Sequence, residues 1–141
     1  MNKIRDLISR EELEELRAVS PWRNIWALVF DWAWILGMMA LYIAHPSWWT
    51  FLLGWLVISG RHLGLAILQH EAAHNLLLPS KKWNDRIGQW LVAYPILNNT
   101  LIYRTIHLQH HKYTWTDKDP DLGLANKFPI TKASLRRKIW R

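Results

Sequence analysis

Two long apolar stretches, separated by only three residues, dominate the pattern of hydrophobic and polar positions along this chain. Residues 24–44 and 48–68 are each 21 residues long. A helix of that length, at about 1.5 Å rise per residue, covers a hydrocarbon core of roughly 30 Å. The short connection contains Pro46, which breaks helices. The pattern therefore predicts two transmembrane helices packed as an antiparallel hairpin.

The second apolar stretch meets no helix breaker before Pro79, so we expect its helix to run from Trp48 to about Leu78. A further apolar segment, at residues 84–97, is too short to cross a bilayer and is interrupted by Pro95. This segment is typical of an interfacial or partly inserted element.

Shorter patterns predict the remaining elements. Residues 6–18 place leucine and isoleucine at helical spacing against a charged face, and Ser9 with Glu12 has the sequence of a capping box. Residues 100–113 have helical character. Residues 117–129 are rich in Asp, Pro, Gly and Asn, which predicts a loop.

The chain has a net charge of +7, and its cations flank the apolar stretches instead of separating them. Because the turn between the stretches has no Lys or Arg, the positive-inside rule places both flanks in the cytoplasm. A cleaved signal peptide is not expected, since the first apolar run starts late and is too long for one. The flanking cations are Lys3, Arg5, Arg10, Arg17 and Arg23 before the hairpin and Lys81, Lys82 and Arg86 after it.

These patterns predict an all-α integral membrane protein that crosses the bilayer twice and carries a cytosolic, histidine-rich helical cap. Residues 1–23 would form a cytosolic or interfacial helix, residues 24–123 the hairpin and cap, and residues 124–141 a basic tail. The tail mixes cations with Trp140, which favours membrane lipids with anionic headgroups as its partner over nucleic acid.

Asp31 and Arg61 each interrupt an apolar stretch, seven residues from the cytosolic end that we assign to that helix. In an antiparallel hairpin centred on Pro46 they occupy mirror positions. We expect them to form a pair within the membrane that registers the two helices, because an unpaired charge there costs a few kcal/mol. The alternative is that Asp31 is neutral and that Arg61 extends by itself to the membrane surface.

Five of the seven histidines fall into two groups with the spacing of metal ligands. His70 and His74 are four residues apart and would share one helical face. His107, His110 and His111 combine spacings of three and four, so they could serve one metal or straddle two. Imidazole suits zinc, iron, copper and nickel, and the chain has no cysteine that could supply a thiolate.

The first group also matches the H-E-x-x-H pattern of zinc metalloproteases, in which two histidines bind zinc and the glutamate, here Glu71, is the general base. An intramembrane zinc protease is therefore one alternative. It would need a third ligand, and it has no evident use for three histidines at positions 107, 110 and 111.

The sequence HEAAH, an interval of 32 residues, and then HLQHH followed by KYTWTDKDPDL resemble the first two histidine boxes of membrane fatty acid desaturases. The resemblance covers roughly residues 24–123. It implies a di-iron enzyme that uses O2, with a cytosolic metal site beneath membrane helices that come in hairpins. The iron ligands that it implies are His70, His74, His107, His110 and His111.

The reaction implied by the resemblance removes two hydrogens from adjacent methylene groups of an acyl chain and leaves a C=C bond. The substrate would be an acyl lipid or an acyl group on a carrier, and electrons would come from a separate donor of the ferredoxin or cytochrome type. A hydroxylase or ketolase of lipids or carotenoids is an alternative, because the histidine spacing indicates that O2 is activated but does not determine whether the product is a double bond or an oxygenated carbon.

Four further residues are candidates to support the metal ligands. Glu71, Asn75 and Asp117 are suitable acceptors for the ring N–H groups of the histidines. His62 lies two turns before His70, about 80° away from its face, and could be an additional ligand, a partner of a ligand, or a bond to a neighbouring helix.

The chain departs from the family pattern in having neither the third histidine box nor the second membrane hairpin. We therefore expect an N-terminal portion of a desaturase, inactive by itself, or else a catalytically dead membrane binding protein. Trp115 stands where the family often has a smaller polar residue, so the loop after the second box is expected to have its own geometry.

Overall fold

The computed structural model describes residues 8–16, 18, 20–125 and 128–140. All regular structure in these ranges is helical, as the sequence predicts. The chain divides into two compact units, Met1–Leu101 and Ile102–Arg141. The first unit contains α1 (Arg10–Leu16), α2 (Pro21–Ala44), α3 (Trp48–Ala73) and α4 (Lys81–Ile87), and α5 (Thr100–Tyr113) runs from the first unit into the second.

The short helix α1 begins with the capping box that the sequence predicts. The backbone N–H of Glu12 donates to Ser9 Oγ at 3.1 Å, and the backbone N–H of Ser9 donates to Glu12 Oε2 at 2.9 Å. Two donors that a helix start normally leaves unpaired are thus satisfied. The predicted outer residues 6, 7 and 17 lie outside the described part of the chain.

Helices α2 and α3 are each long and apolar enough to cross a membrane. Helix α2 starts with Pro21 at its first position, where the missing N–H of proline causes no loss. Helix α3 is capped by Ser47, whose Oγ accepts from the backbone N–H of Thr50 at 3.2 Å. The predicted two-helix hairpin with a tight turn is confirmed.

Helix α3 ends at Ala73, about five residues earlier than we predicted from the position of Pro79. Asn75 adopts a left-handed φ of 59°, and the backbone N–H of Leu76 turns back to donate to the carbonyl of Glu71 at 2.8 Å. This is the pattern of a helix that ends in a left-handed residue, a role that Asn tolerates better than most residues.

An ion pair links the two membrane helices. Arg61 Nη1 lies 3.1 Å from Asp31 Oδ1, and Asp31 is only 3% exposed. The neighbouring turn of α3 carries Gly64, where a Cβ atom would lie 2.7 Å from Asp31 Oδ1. Glycine at this position therefore makes room for the carboxylate. The guanidinium also lies 5.4 Å from the ring centre of Phe30.

After α4 the chain continues as a π-helix at Gly88–Ala93 and a 3-10 helix at Tyr94–Ile96. Trp32 Nε1 of α2 donates to the carbonyl of Leu91 at 2.9 Å. This bond pairs a backbone acceptor within the π-helix. Gly88 packs so closely on α3 that an added Cβ would lie 2.8 Å from the Cβ of Ala72. The short apolar segment exists as predicted, and its insertion into a membrane stays a prediction.

Polar bonds from Asn24 and Asn84 hold the end of α3. Asn84 is fully buried, donates to the carbonyl of Ala72 at 3.0 Å and accepts from the backbone N–H of Leu77 at 3.1 Å. Asn24 of α2 donates to the carbonyls of Leu76 and Leu77 at 2.8 and 2.9 Å. The apolar core of this unit consists of Ile35, Leu65, Leu68, Ala72, Leu77 and Val92.

The second unit contains most of α5, a turn region, α6 (Leu122–Ala125) and α7 (Lys132–Ile139). Helix α5 has the bounds that the sequence predicts. The predicted loop at residues 117–129 contains the one-turn helix α6, and the region predicted only as a basic tail contains α7. The turn after α5 places Trp115 at a left-handed φ of 61°.

Candidate metal centre

His70 and His74 close the last turn of α3, where their spacing of four residues places both rings on one side. The ring centres lie 4.7 Å apart at an interplanar angle of 60°. Each ring offers a nitrogen, and the two nitrogens lie within 4.8 Å of one another. Both side chains are half-buried, so the pair forms a two-nitrogen clamp that a metal ion could enter.

Three of the residues that we predicted as support lie on or just after α3. Glu71 Oε1 lies 3.3 Å from His70 Nδ1, within reach of a ring N–H. Asn75 provides the left-handed residue that ends the helix directly after His74. His62 lines an apolar groove of about 430 Å³ between α2 and α3, together with Met38, Tyr42, Phe51, Gly54, Trp55 and Ile58.

The second histidine pair lies on α5. His107 Nε2 and His111 Nε2 are 3.0 Å apart, and the rings stand nearly perpendicular, at 88°. On its other side His107 stacks on Tyr103, with ring centres 5.2 Å apart and an angle of 9°. Stacking fixes the ring plane of His107, so this pair also presents two nitrogens to one point.

His110 is anchored differently from its neighbours. Its Nδ1 lies 2.8 Å from Asp119 Oδ1, and its ring centre is 6.3 Å from that of His107 and 5.7 Å from that of His111. Asp119 is nearly buried and also accepts from the backbone N–H groups of Trp115 at 3.0 Å and Asp121 at 2.9 Å. These bonds fix the carboxylate and, through it, the orientation of the His110 ring.

The same contacts shift the pKa values of His110 and Asp119. The hydrogen bond with Asp119 raises the pKa of His110 above its ordinary value, and the nearby Asp121 carboxylate adds to this effect. Burial by itself raises the pKa of Asp119, but hydrogen bonds from His110, Trp115 and Asp121 outweigh burial and hold that pKa below its usual range. An ionised Asp119 therefore keeps a proton on Nδ1 and leaves Nε2 of neutral His110 as the nitrogen for a metal.

The supporting carboxylate is Asp119, whereas the sequence predicted Asp117, two residues earlier. Asp117 is exposed in the structure, whereas Asp119 contacts a histidine ring. The alternation of acids at 117, 119 and 121 marks this turn as acidic, but it does not distinguish Asp119 from Asp117.

Each of the two histidine pairs, taken by itself, offers neutral nitrogen donors that a metal ion can bind. One two-nitrogen pair lies in the first unit and one in the second, and His110 adds a ring whose tautomer is fixed by a carboxylate. The 141 residues include no cysteine, so this chain itself supplies no thiolate ligand. Imidazole nitrogens suit iron, and the same set would also accept zinc.

The sequence model of the family described as "Fatty acid desaturase" matches residues 46–141, which include both histidine groups. The chain belongs to the fatty acid desaturase family. It is a membrane protein by its family and by its two candidate spans, and the family is one of oxidoreductases.

Several curated proteins are similar to this desaturase-family chain. A dihydrorhizobitoxine desaturase of Bradyrhizobium elkanii is 33% identical over 119 residues, which cover 81% of this chain and 33% of the relative. A probable fatty acid desaturase of Sorghum bicolor is 28% identical over 119 residues, covering 84% of this chain and 29% of the relative. A beta-carotene ketolase of Paracoccus sp. (strain PC1) is 37% identical over 90 residues, covering 57% and 33%.

The chain thus spans about a third of the length of the curated relatives that it matches. No solved structure matches this desaturase-family chain.

Proposed function

We propose that this chain contributes five ligands to a di-iron centre that uses O2 to introduce a C=C bond into the acyl chain of a lipid or fatty acid. The observation that carries the proposal is the pair of two-nitrogen histidine clamps, at the end of α3 and on α5, inside the stretch that matches the desaturase family. The chain spans only part of its relatives, so the activity is proposed for a protein that also supplies a third histidine box.

The ligands would be His70, His74, His107, His110 and His111. Bound iron would supply the activation of O2 that abstraction of hydrogen from a methylene group requires. The neighbours of these histidines then each have a task in holding the rings. Asp119 keeps the proton of His110 on Nδ1, Glu71 stands beside His70 Nδ1, and Tyr103 fixes the plane of His107.

Rigid placement of the first clamp comes from outside α3. Asn84 takes the carbonyl of Ala72 and the N–H of Leu77, and Asn24 takes the carbonyl of Leu77. These bonds hold the turn that follows His74. The rings of His70 and His74 therefore keep their spacing although the helix ends at this point. Ligands held in this way need little reorganisation when a metal binds.

The proposed topology is multi-pass, with both flanks of the hairpin and the histidines in the cytosol, because the cations flank the apolar helices and are absent from the turn. The substrate would be an acyl lipid or a carrier-bound acyl group that reaches the site from the bilayer. Electrons would arrive from a ferredoxin or cytochrome type of protein, for which the basic cytosolic surface offers a complementary charge.

A hydroxylase or ketolase is the second candidate, and the similarity to the Paracoccus ketolase favours it over a zinc protease. Its metal ligands would be the same, and it would insert oxygen where a desaturase leaves a double bond. The zinc protease suggested by the HEAAH sequence would need only the first clamp and Glu71.

The test combines metal content with product analysis. The 141-residue chain and the protein encoded by its full reading frame are purified in mild detergent, and iron and zinc are measured by elemental analysis. We expect iron in the longer protein, lost when His74 or His111 is changed to Ala and kept in the matched variant His45→Ala, whose histidine lies in the turn at the far end of the hairpin. Host lipids are then analysed by gas chromatography and mass spectrometry.

New double bonds that disappear with His111→Ala support the desaturase. New hydroxyl or keto groups would replace it with the second candidate. One tightly held zinc that survives the loss of His110 and His111 would overturn the di-iron proposal and favour the protease.

A further inference from the structure

Helix α7 carries the strongest local concentration of positive charge among the described helices. From residue 122 to the last residue the sequence has no acidic side chain and six cations, which are Lys127, Lys132, Arg136, Arg137, Lys138 and Arg141. Such a segment repels other basic surfaces and attracts anionic ones. Net charge alone does not distinguish a lipid surface from an acidic protein or a nucleic acid.

The helix also has an exposed apolar side. Leu135 and Ile139 are four residues apart, share one face and are 49% and 70% exposed. Trp140 directly after the helix is 88% exposed. Thr131 Oγ1 caps the start by accepting from the backbone N–H of Ser134 at 3.2 Å, so the face is presented by a helix with a defined beginning.

Three of the four cations of α7 lie beside this apolar side, and Arg137 lies opposite it. At about 100° per residue, Lys132 and Arg136 fall on one flank of the Leu135 and Ile139 stripe, and Lys138 falls on the other. The Lys138 ammonium lies 4.9 Å from the ring centre of Phe128, which is itself 59% exposed. Phe128 thus adds an exposed aromatic ring next to Lys138.

We propose that α7 lies on an anionic phospholipid surface, with Leu135 and Ile139 in the headgroup and acyl boundary and the cations among the phosphates. A stripe of apolar side chains flanked by Lys and Arg is the pattern of helices that lie in the membrane interface. An acidic protein or a nucleic acid would use the cations and leave Leu135, Ile139 and Trp140 in water. A lipid surface would contact both the cations and these apolar side chains.

The covalent link to the membrane helices makes this contact efficient. Because α2 and α3 tether the chain to a bilayer, α7 meets lipid at a high effective concentration, and a weak intrinsic affinity is enough. The proposal is independent of the metal and of the reaction, since no histidine contributes to this surface. It gives the second unit a membrane contact of its own.

The 141-residue chain has no cysteine, so a single introduced cysteine can be labelled with a nitroxide. Leu135→Cys and Ile139→Cys place the label on the apolar side. Ala133→Cys is the matched control, about 120 to 160° away round the helix. Each labelled chain is reconstituted into vesicles of phosphatidylcholine alone and of phosphatidylcholine with phosphatidylglycerol, and accessibility to O2 and to a water-soluble nickel chelate is measured by electron paramagnetic resonance.

We expect labels at 135 and 139 in the anionic vesicles to show a several-fold higher ratio of O2 to nickel accessibility than the label at 133. The difference should shrink in phosphatidylcholine alone and at high salt, which screens the attraction. It should also shrink in Arg136→Gln/Lys138→Gln, which removes one cation from each flank, whereas the charge-matched variant Lys112→Gln/Lys118→Gln, in the same unit, should leave it in place.

Two results would overturn the proposal. Equal nickel accessibility at all three positions in every vesicle would show that α7 lies in water. Labels at 135 and 139 that are immobile and reached by neither reagent would show that protein covers this side of the helix.

Discussion

The ion pair between Asp31 and Arg61 allows a double-mutant test of how the membrane helices are registered. Arg61 Nη1 lies 3.1 Å from Asp31 Oδ1, and the carboxylate is almost completely buried in the hairpin. Arg61 keeps about a third of its side-chain surface exposed, so it can reach polar surroundings if its partner is removed. Asp31 has no such escape, and the two single changes should therefore differ.

The magnitudes follow from this asymmetry. A charged side chain at the centre of a membrane helix costs about 2.5 to 3.5 kcal/mol on insertion scales. Arg61→Gln leaves Asp31 buried beside a weaker donor and should destabilise the hairpin by about 2 kcal/mol. Asp31→Asn removes the buried charge, keeps an acceptor and should cost about 1 kcal/mol, the size of a hydrogen bond between membrane helices. The double variant, with two amides in contact, should also cost about 1 kcal/mol.

The assay is equilibrium unfolding in mixed detergent micelles, followed by far-UV circular dichroism, on all four corners of the cycle. The expected coupling is about 2 kcal/mol, which is well above the few tenths of a kcal/mol by which independent sites deviate from additivity. Additive losses, with no rescue in the double variant, would refute the idea that this pair registers the helices.

Gly64 provides an independent perturbation of the same pair. A Cβ at this position would lie 2.7 Å from Asp31 Oδ1 and 2.8 Å from Asp31 Cγ, so Gly64→Ala must displace the carboxylate. A Cβ at Gly60, one turn earlier in the same helix, meets no atom within 4 Å. Gly64→Ala should destabilise the hairpin while Gly60→Ala does not, and the loss should shrink when Asp31→Ala makes room. Equal effects of the two alanines would contradict this packing.

Three further predictions concern the parts around the histidines. Asn84→Ala strands buried backbone groups and should lower the free energy of unfolding by about 2 to 4 kcal/mol, with thermal denaturation as the measurement. Trp32→Phe removes one hydrogen bond to the π-helix and should cost about 1 kcal/mol in the same assay, whereas Trp34→Phe, at an exposed position, should cost much less. In the metal-free protein, Asp119→Asn should lower the pKa of His110, measured by NMR titration. The stabilisation that this variant removes is present below the unfolded-state pKa of histidine, is lost as pH rises through the raised folded pKa, and is also lost when acid protonates Asp119.

The hairpin and the histidine groups were predictable because they depend on local spacing. Two uninterrupted apolar stretches around Pro46 leave few other arrangements, and a separation of four residues places His70 beside His74 on any helix. The meeting of Asp31 with Arg61 follows from the same symmetry. Each of these features needs only the geometry of a single helix or a single turn.

The features that the sequence did not reveal depend on distant partners. Helix α3 stops at Ala73 because Asn24 and Asn84, which lie 49 positions before and 11 after it in the sequence, take the backbone groups that a longer helix would have used. The π-helix at Gly88–Ala93 depends on a tryptophan of α2 and on the close approach of Gly88 to Ala72. Asp119, and not Asp117, lies beside His110 because the chain turns at Trp115 through a left-handed residue whose N–H bonds to Asp119. Residue spacing alone does not predict this turn.

The bonds made by Trp32, Asn24 and Asn84 impose an order of assembly. The segment from α4 to the 3-10 helix is too short to span a bilayer by itself, and it bonds to both α2 and α3, so its full set of partners exists only once these two helices have paired. Its docking then completes the turn that fixes His70 and His74. If the first clamp binds a metal as proposed, we expect loading to follow this docking, and a docking defect should leave a protein that inserts normally and binds less metal.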